Sequence, residues 1–236
     1  SGAIVNATDI NAFTATTASS NAGTANLSTK AAGGTINMAA SNSGAYNING
    51  GAGNDILTGG SGNDVFIVAA TTEADGDTIN GGAGDDTINL STGTHTLNND
   101  ARLSNVETIV ANSSGSTLIL TNQVEGITIS GGAGTDNFTG GSGADVITGG
   151  AGNDTFAGGA GNDTFNIDSG TDTVSDLGTG SDIFVVSSGA TLNATPITSF
   201  TATFASRNDG TANLTAATGG GVIHLSNVAS GAGTYT

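Results

Sequence analysis

The chain has 236 residues, with 40 Gly, one Pro, no Cys and a formal net charge of −17 from 20 acidic and three basic residues. So acidic a chain repels DNA, RNA and anionic lipid, which argues against nucleic-acid binding, and the lack of cysteine excludes disulfides and thiolate metal sites. No apolar run approaches the ~18 residues of a membrane span, and no basic-then-apolar leader opens the chain at Ser1, so an export signal is expected to lie elsewhere.

Residues 1–45 are rich in Thr, Ala and Ser, and their sequence returns near the C-terminus. Aligned without gaps to residues 188–232, an offset of 187, they are identical at 25 of 45 positions. In the second copy "FTATF" and "GVIHL" alternate apolar and polar side chains as strands do. Both segments, 1–45 and 188–236, are therefore expected to be β-structure that extends or caps what lies between. The duplication implies linear, end-to-end architecture. It fits either one period of a tandem array plus the start of the next, or a complete subunit with two related ends.

Between these segments, two blocks at 50–89 and 131–185 repeat a nine-residue unit. GGxGxD begins at Gly50, Gly59, Gly81, Gly131, Gly140, Gly149 and Gly158, each time followed by a short apolar-bearing stretch such as ILT, VFI or TFN. The glycines allow positive φ and a tight turn whose carbonyls face inward. The three residues after the aspartate have room for one short strand. Two units then make one coil, and coils stack ~4.8 Å apart as parallel strands, which puts aspartates 18 residues apart on the same edge.

At ~5 Å and an effective dielectric of about 20, two such carboxylates repel by roughly 3 kcal/mol. A ladder of them needs a cation between the rungs. Ligands that are all hard oxygens, carboxylate and carbonyl, select Ca²⁺, with roughly four to six ions expected. One edge carries Asp136, Asp154 and Asp172, and the other Asp145, Asp163 and Asp182. Upstream, after a slip around Val68–Thr71, Asp55 pairs with Asp77 and Asp64 with Asp86, with Glu73 as a competitor of Asp77. The turn glycines that join these aspartates as candidate metal residues are Gly51, Gly53, Gly60, Gly62, Gly82, Gly84, Gly132, Gly134, Gly141, Gly143, Gly150, Gly152, Gly159 and Gly161.

Residues 90–130 lack glycine turns and carry few acids, but "VETIV" and "TLIL" read as strands. An inward apolar row can be followed as Leu57, Phe66, Ile79, Ile88, Leu97, Ile109, Ile119, Ile129, Phe138, Ile147, Phe156, Phe165, Val174 and Phe184, in steps of 9 or 10 apart from one of 13 and one of 12. Residues 46–187 are therefore expected to form one continuous solenoid whose central coils are metal-poor and held by apolar stacking.

The nonapeptide GGxGxDxUx resembles that of the RTX (repeats-in-toxin) family. The resemblance implies an all-β fold, a right-handed parallel β-roll or β-solenoid with Ca²⁺-bound Gly-rich turns, and secretion by the type I route to the cell exterior. "LSNVETIVA" is also similar to the connectors of RTX-type bacterial surface-layer (S-layer) proteins. Catalysis has little to work with. His95 and His224 lie 129 residues apart, and there is no HExxH, GxSxG or cysteine nucleophile. The expected function is a non-enzymatic, calcium-folded structural protein of the cell surface that assembles head to tail with itself, with cell-surface polysaccharide as a further candidate partner. The alternatives are a calcium-folding secretion module of a larger enzyme or toxin and, more weakly, an ice-binding or adhesin repeat.

Overall fold

The computed structural model describes residues 4–42, 44–68, 76–229 and 231–236. The chain is all-β, a parallel β-solenoid, and it divides into two compact units, Ser1–Val110 and Ala111–Thr236. Glu73, proposed above as a competitor of Asp77, lies outside the described residues.

In the first unit, strands Ile4–Ile10, Thr24–Thr29, Tyr46–Asn49, Val65–Val68, Thr87–Leu90 and Thr108–Val110 lie side by side in chain order in one parallel sheet. A facing sheet takes Ala12–Thr14, Thr35–Asn37, Ile56–Thr58, Thr78–Asn80 and Leu103–Ser104. Successive strands of the chain mostly alternate between the two sheets, so one strand from each makes a coil. Apolar side chains stack coil on coil between them: Leu27 on Ile48, Ile48 on Phe66, Phe66 on Ile88 and Ile88 on Ile109 in one sheet. In the other sheet Ile36 stacks on Leu57, Leu57 on Ile79 and Ile79 on Leu103.

The second unit repeats the plan. Thr128–Ser130, Val146–Thr148, Thr164–Ile167, Ile183–Val186 and Arg207–Asn208 form one sheet, and Ser116–Ile119, Asn137–Thr139, Thr155–Ala157, Thr171–Val174, Thr191–Ile197, Thr211–Ala216 and Thr234–Tyr235 the other. Its core is aromatic. Phe138 and Phe156 stack at 6.1 Å between ring centroids, Phe156 and Phe165 at 6.4 Å, and Phe184 and Phe200 approach to 5.6 Å. The terminal segments are themselves coils. Ile4–Ile10 lies along Thr24–Thr29, and Thr191–Ile197 along Thr211–Ala216.

Two positions of the expected inward row differ. Leu118, not Ile119, is buried and faces Phe138, while Ile119 pairs with Thr139 on the outer side of the pleat. The step from Ile109 to Leu118 is nine residues and that from Leu118 to Ile129 is eleven, because the turn after Leu120 carries the extra length. A one-residue error in register moves a side chain to the opposite face. Leu97 is buried, but Leu103 is the residue that stacks on Ile79, since an additional strand, Gly93–Thr96, intervenes with His95 inward. Leu118→Ala is expected to destabilise the calcium-loaded protein by about 2–5 kcal/mol, and Ile119→Ala by well under half of that. Denaturant melts of the two variants would separate them; equal losses would place the register wrongly.

Candidate metal centre

Each turn of a repeat must satisfy its backbone amides without the help of a helix or a long ladder, and the aspartates do this across coils. The Asp136 amide donates to Asp154 Oδ1 at 2.8 Å, and the Asp154 amide to Asp172 Oδ1 at 2.9 Å. On the other edge the Asp145 amide donates to Asp163 Oδ1 at 2.9 Å and the Asp163 amide to Asp182 Oδ1 at 3.0 Å. In the first unit the Asp55 amide meets Asp77 Oδ1 at 2.8 Å and the Asp64 amide meets Asp86 Oδ1 at 2.7 Å. The structure thus brings together the pairs read from the sequence. The rungs run beyond them, with the amides of Gly34, Tyr46, Ser116 and Ile127 donating to Asp55, Asp64, Asp136 and Asp145.

The second carboxylate oxygens of seven of these aspartates fall into two groups. Oδ2 of Asp64, Asp136, Asp145 and Asp182 accepts the amide of Gly60, Gly132, Gly141 and Gly178, four residues earlier in its own turn. Oδ2 of Asp86, Asp154 and Asp172 is buried and has no hydrogen-bond partner. A buried carboxylate oxygen left bare carries a large desolvation cost, so these three atoms mark places where a cation fits. All donors here are oxygens, the hard set that suits Ca²⁺. Among the described residues no three His, Cys, Asp or Glu side chains converge on one point, so backbone carbonyls would complete the coordination.

Electrostatics agree with this. Burial pushes the carboxyls of Asp64, Asp136, Asp145, Asp154 and Asp182 above the ordinary aspartate range, against the downward pull of the amides that bond them. Asp86, Asp163 and Asp172 are raised to about 6, first by burial and further by neighbouring carboxylates, among them Asp64 and Glu107 for Asp86, Asp182 and Asp145 for Asp163, and Asp154 for Asp172.

The turn glycines are needed for close approach as well as for curvature. A Cβ on Gly150 would lie 2.2 Å from Gly132 O, and one on Gly159 2.1 Å from Gly141 O, with φ of +90° and +98°. Those carbonyls accept inter-coil amides, Gly132 O from Ala151 at 2.8 Å and Gly141 O from Ala160 at 2.9 Å, as Gly60 O does from Ala83 at 3.0 Å. Each retains a second lone pair.

Three features were not foreseen. Glu107 Oε2 accepts the Asp86 amide at 2.7 Å, extending that ladder by one rung. Its signal was present: Glu107 precedes Ile109 by two residues as Asp86 precedes Ile88. Asp176 accepts the amides of both Gly158 and Gly159, at 3.0 and 2.8 Å. The asparagines of GGxGND also cap the next coil, with Asn153 Oδ1 accepting from the Thr171 amide and Asn162 Oδ1 from the Ser181 amide, both at 2.9 Å. Asp176→Ala is expected to cost about 1–3 kcal/mol by orphaning two amides. Thermal unfolding in saturating calcium tests it, and an unchanged midpoint would show that water replaces the carboxylate.

Against known families, residues 42–69, 71–94, 130–165 and 139–174 match the RTX calcium-binding nonapeptide repeat. No curated protein and no solved structure matches the chain.

Proposed function

Because the chain belongs through these repeats to the RTX calcium-binding family, we infer that it is a structural protein that folds on Ca²⁺ outside the cell and assembles with further copies of itself into a surface layer, fibre or adhesive array. The observation that carries the metal reading is the set of buried, unpartnered Oδ2 atoms of Asp86, Asp154 and Asp172 within carboxylate ladders. Calcium supplies the positive charge that lets adjacent rungs ionise together.

A non-enzymatic role is supported by how the acids are used. Among the described residues every buried carboxylate belongs to a ladder, which leaves none in reserve for acid–base work. His95 is buried, with Nε2 2.9 Å from Ser91 O and its basicity lowered by burial, a position in the core rather than at a reacting surface. At the low calcium of the cytosol the ladders lack their counter-ions, so the chain leaves the cell unfolded and takes its structure outside.

Titration calorimetry with Ca²⁺ and with Mg²⁺ tests this reading. Roughly four to six Ca²⁺ ions are expected to bind, with Mg²⁺ a poor substitute because it demands stricter octahedral geometry. Asp154→Asn and Asp172→Asn should each lower the number bound. A chain that takes up no calcium at millimolar concentration would sink the reading.

A further inference from the structure

One turn recurs along an edge of the first unit, and its last copy has no glycine. Residues 59–64 link Ile56–Thr58 to Val65–Val68, residues 81–86 link Thr78–Asn80 to Thr87–Leu90, and residues 105–107 link Leu103–Ser104 to Thr108–Val110. The strands on either side keep the last two turns in register, with Ser104 on Asn80 and Thr108 on Thr87. The third turn is three residues shorter than the second, Asn-Val-Glu in place of Gly-Gly-Ala-Gly-Asp-Asp.

The short turn nevertheless reproduces the long one where it meets the coil before it. The Gly81 amide donates to Ser104 O at 3.0 Å, as the Gly59 amide donates to Asn80 O at 2.8 Å. A Cβ on Gly81 would lie 1.8 Å from Asn105 O, and one on Gly59 1.9 Å from Gly81 O. The Asn105 carbonyl therefore stands where the carbonyl of a repeat's first glycine stands one coil earlier. Asn105 turns the chain at a φ of +52°, a left-handed conformation that asparagine tolerates. Its Nδ2 donates to Asn80 Oδ1 at 2.9 Å, and Val106 beside it is buried. The carboxylate is replaced in kind. Glu107 Oε2 accepts the Asp86 amide at 2.7 Å, as Asp86 Oδ1 accepts that of Asp64 at 2.7 Å. The extra methylene of glutamate spans what the shorter turn omits.

Three oxygens are left over around Gly81. Asp86 Oδ2 is buried without a hydrogen-bond partner and, like Asn105 O, lies against the Gly81 Cα, 2.4 Å from where a Cβ would sit. Among the described residues no backbone amide donates to Asn105 O, and Glu107 Oε1 accepts no hydrogen bond. We propose that residues 105–107 close a calcium site on Asp86 without the glycine signature, so that the metal ladder runs one coil into the stretch expected to be metal-poor. Asp86 Oδ2, Glu107 Oε1 and the Asn105 carbonyl are its protein ligands. Two carboxylates match the charge of the ion, and the exposed flank at Glu107 admits water to complete a shell of 6–8 oxygens. The proposal rests on the calcium reading above and adds a site that the nonapeptide does not announce.

Titration calorimetry of the full chain with Ca²⁺ tests the site, with circular dichroism in saturating calcium as the folding control. Glu107→Gln keeps an oxygen to accept the Asp86 amide and removes the charge, so the folded variant should bind one ion fewer than the unaltered chain. Asp85→Asn removes the same charge from an exposed neighbour outside the site and should leave the count unchanged. A folded Glu107→Gln chain that binds as many ions, equally tightly, overturns the proposal: Glu107 then only caps an amide, and the calcium sites of the repeats stand. Equal losses in both variants also overturn it, because overall charge would then set the count. If Glu107→Gln does not fold, anomalous scattering from crystals of the unaltered chain grown in calcium decides. A peak between Asp86 and Glu107 supports the site, and its absence beside occupied repeat turns overturns it. An unaltered chain that takes up no calcium overturns the functional reading and this proposal together.

Discussion

Stripped of calcium at neutral pH, the chain is expected to lose most of its β-structure. In the second unit four rungs join Asp136, Asp154 and Asp172 on one edge and Asp145, Asp163 and Asp182 on the other, and all six side chains are buried. With rungs one coil apart, about 4.8 Å, four ionised contacts at roughly 3 kcal/mol each equal the whole 5–15 kcal/mol by which a typical protein is stable. Amide hydrogen bonds offset part of this. The apolar core does not offset much more, because most repeat strands contribute a single large side chain to it. Far-ultraviolet circular dichroism in chelator and in calcium is the direct measurement. The same β signal in both would mean that the ladders bear their charge unaided.

Acid is expected to do the opposite of what it does to most proteins. Asp86, Asp163 and Asp172 ionise at about 6 in the folded chain, against an ordinary value of 3.8. The folded state therefore holds more protons than the unfolded one between about pH 4 and 6. A group raised in this direction stabilises the fold at low pH and gives up that stability as the pH rises through its folded value, by about 1.4 kcal/mol per pH unit for each proton. The metal-free chain should accordingly regain β-structure on acidification from pH 7 to about 4.5. Calcium binding should weaken over the same interval, because the ligands must be deprotonated. Two dichroism titrations, with calcium and with chelator, should converge as the pH falls. A metal-free chain that unfolds further on acidification would contradict the raised carboxyls.

The sequence made the ladders legible because period and chemistry coincide in them. Nine residues return the same aspartate to the opposite edge, eighteen to the same edge, and Phe138, Phe156 and Phe165 follow in step. Legibility failed where spacing, not composition, was the variable. Leu118 and Ile119 are both apolar and adjacent, and only the length of the following turn decides which faces Phe138. Glu107 and Asp176 extend the carboxylate system without the glycines that flagged the other rungs. The inter-coil role of Asn153 and Asn162 was hidden because an amide cap needs a partner 18 or 19 residues away that carries no signature of its own. The terminal modules looked like candidate caps, and their coil geometry follows from a backbone register that Thr- and Ala-rich strands do not advertise.

The rungs of the second unit also set a rule for how such a chain can change length. Every rung between Asp136 and Asp182 joins an amide to a carboxylate 18 or 19 residues later, on the same edge. Duplicating 18 residues within 131–165 would therefore add one coil, about 4.8 Å, and leave every downstream partner in place. Duplicating nine would send each later strand to the opposite sheet and deliver the long Thr191–Ile197 strand to the side built for short ones. Copy number here behaves as a ruler graduated only in even units, and slippage during replication of so repetitive a gene would be tolerated in steps of two repeats and purged in steps of one.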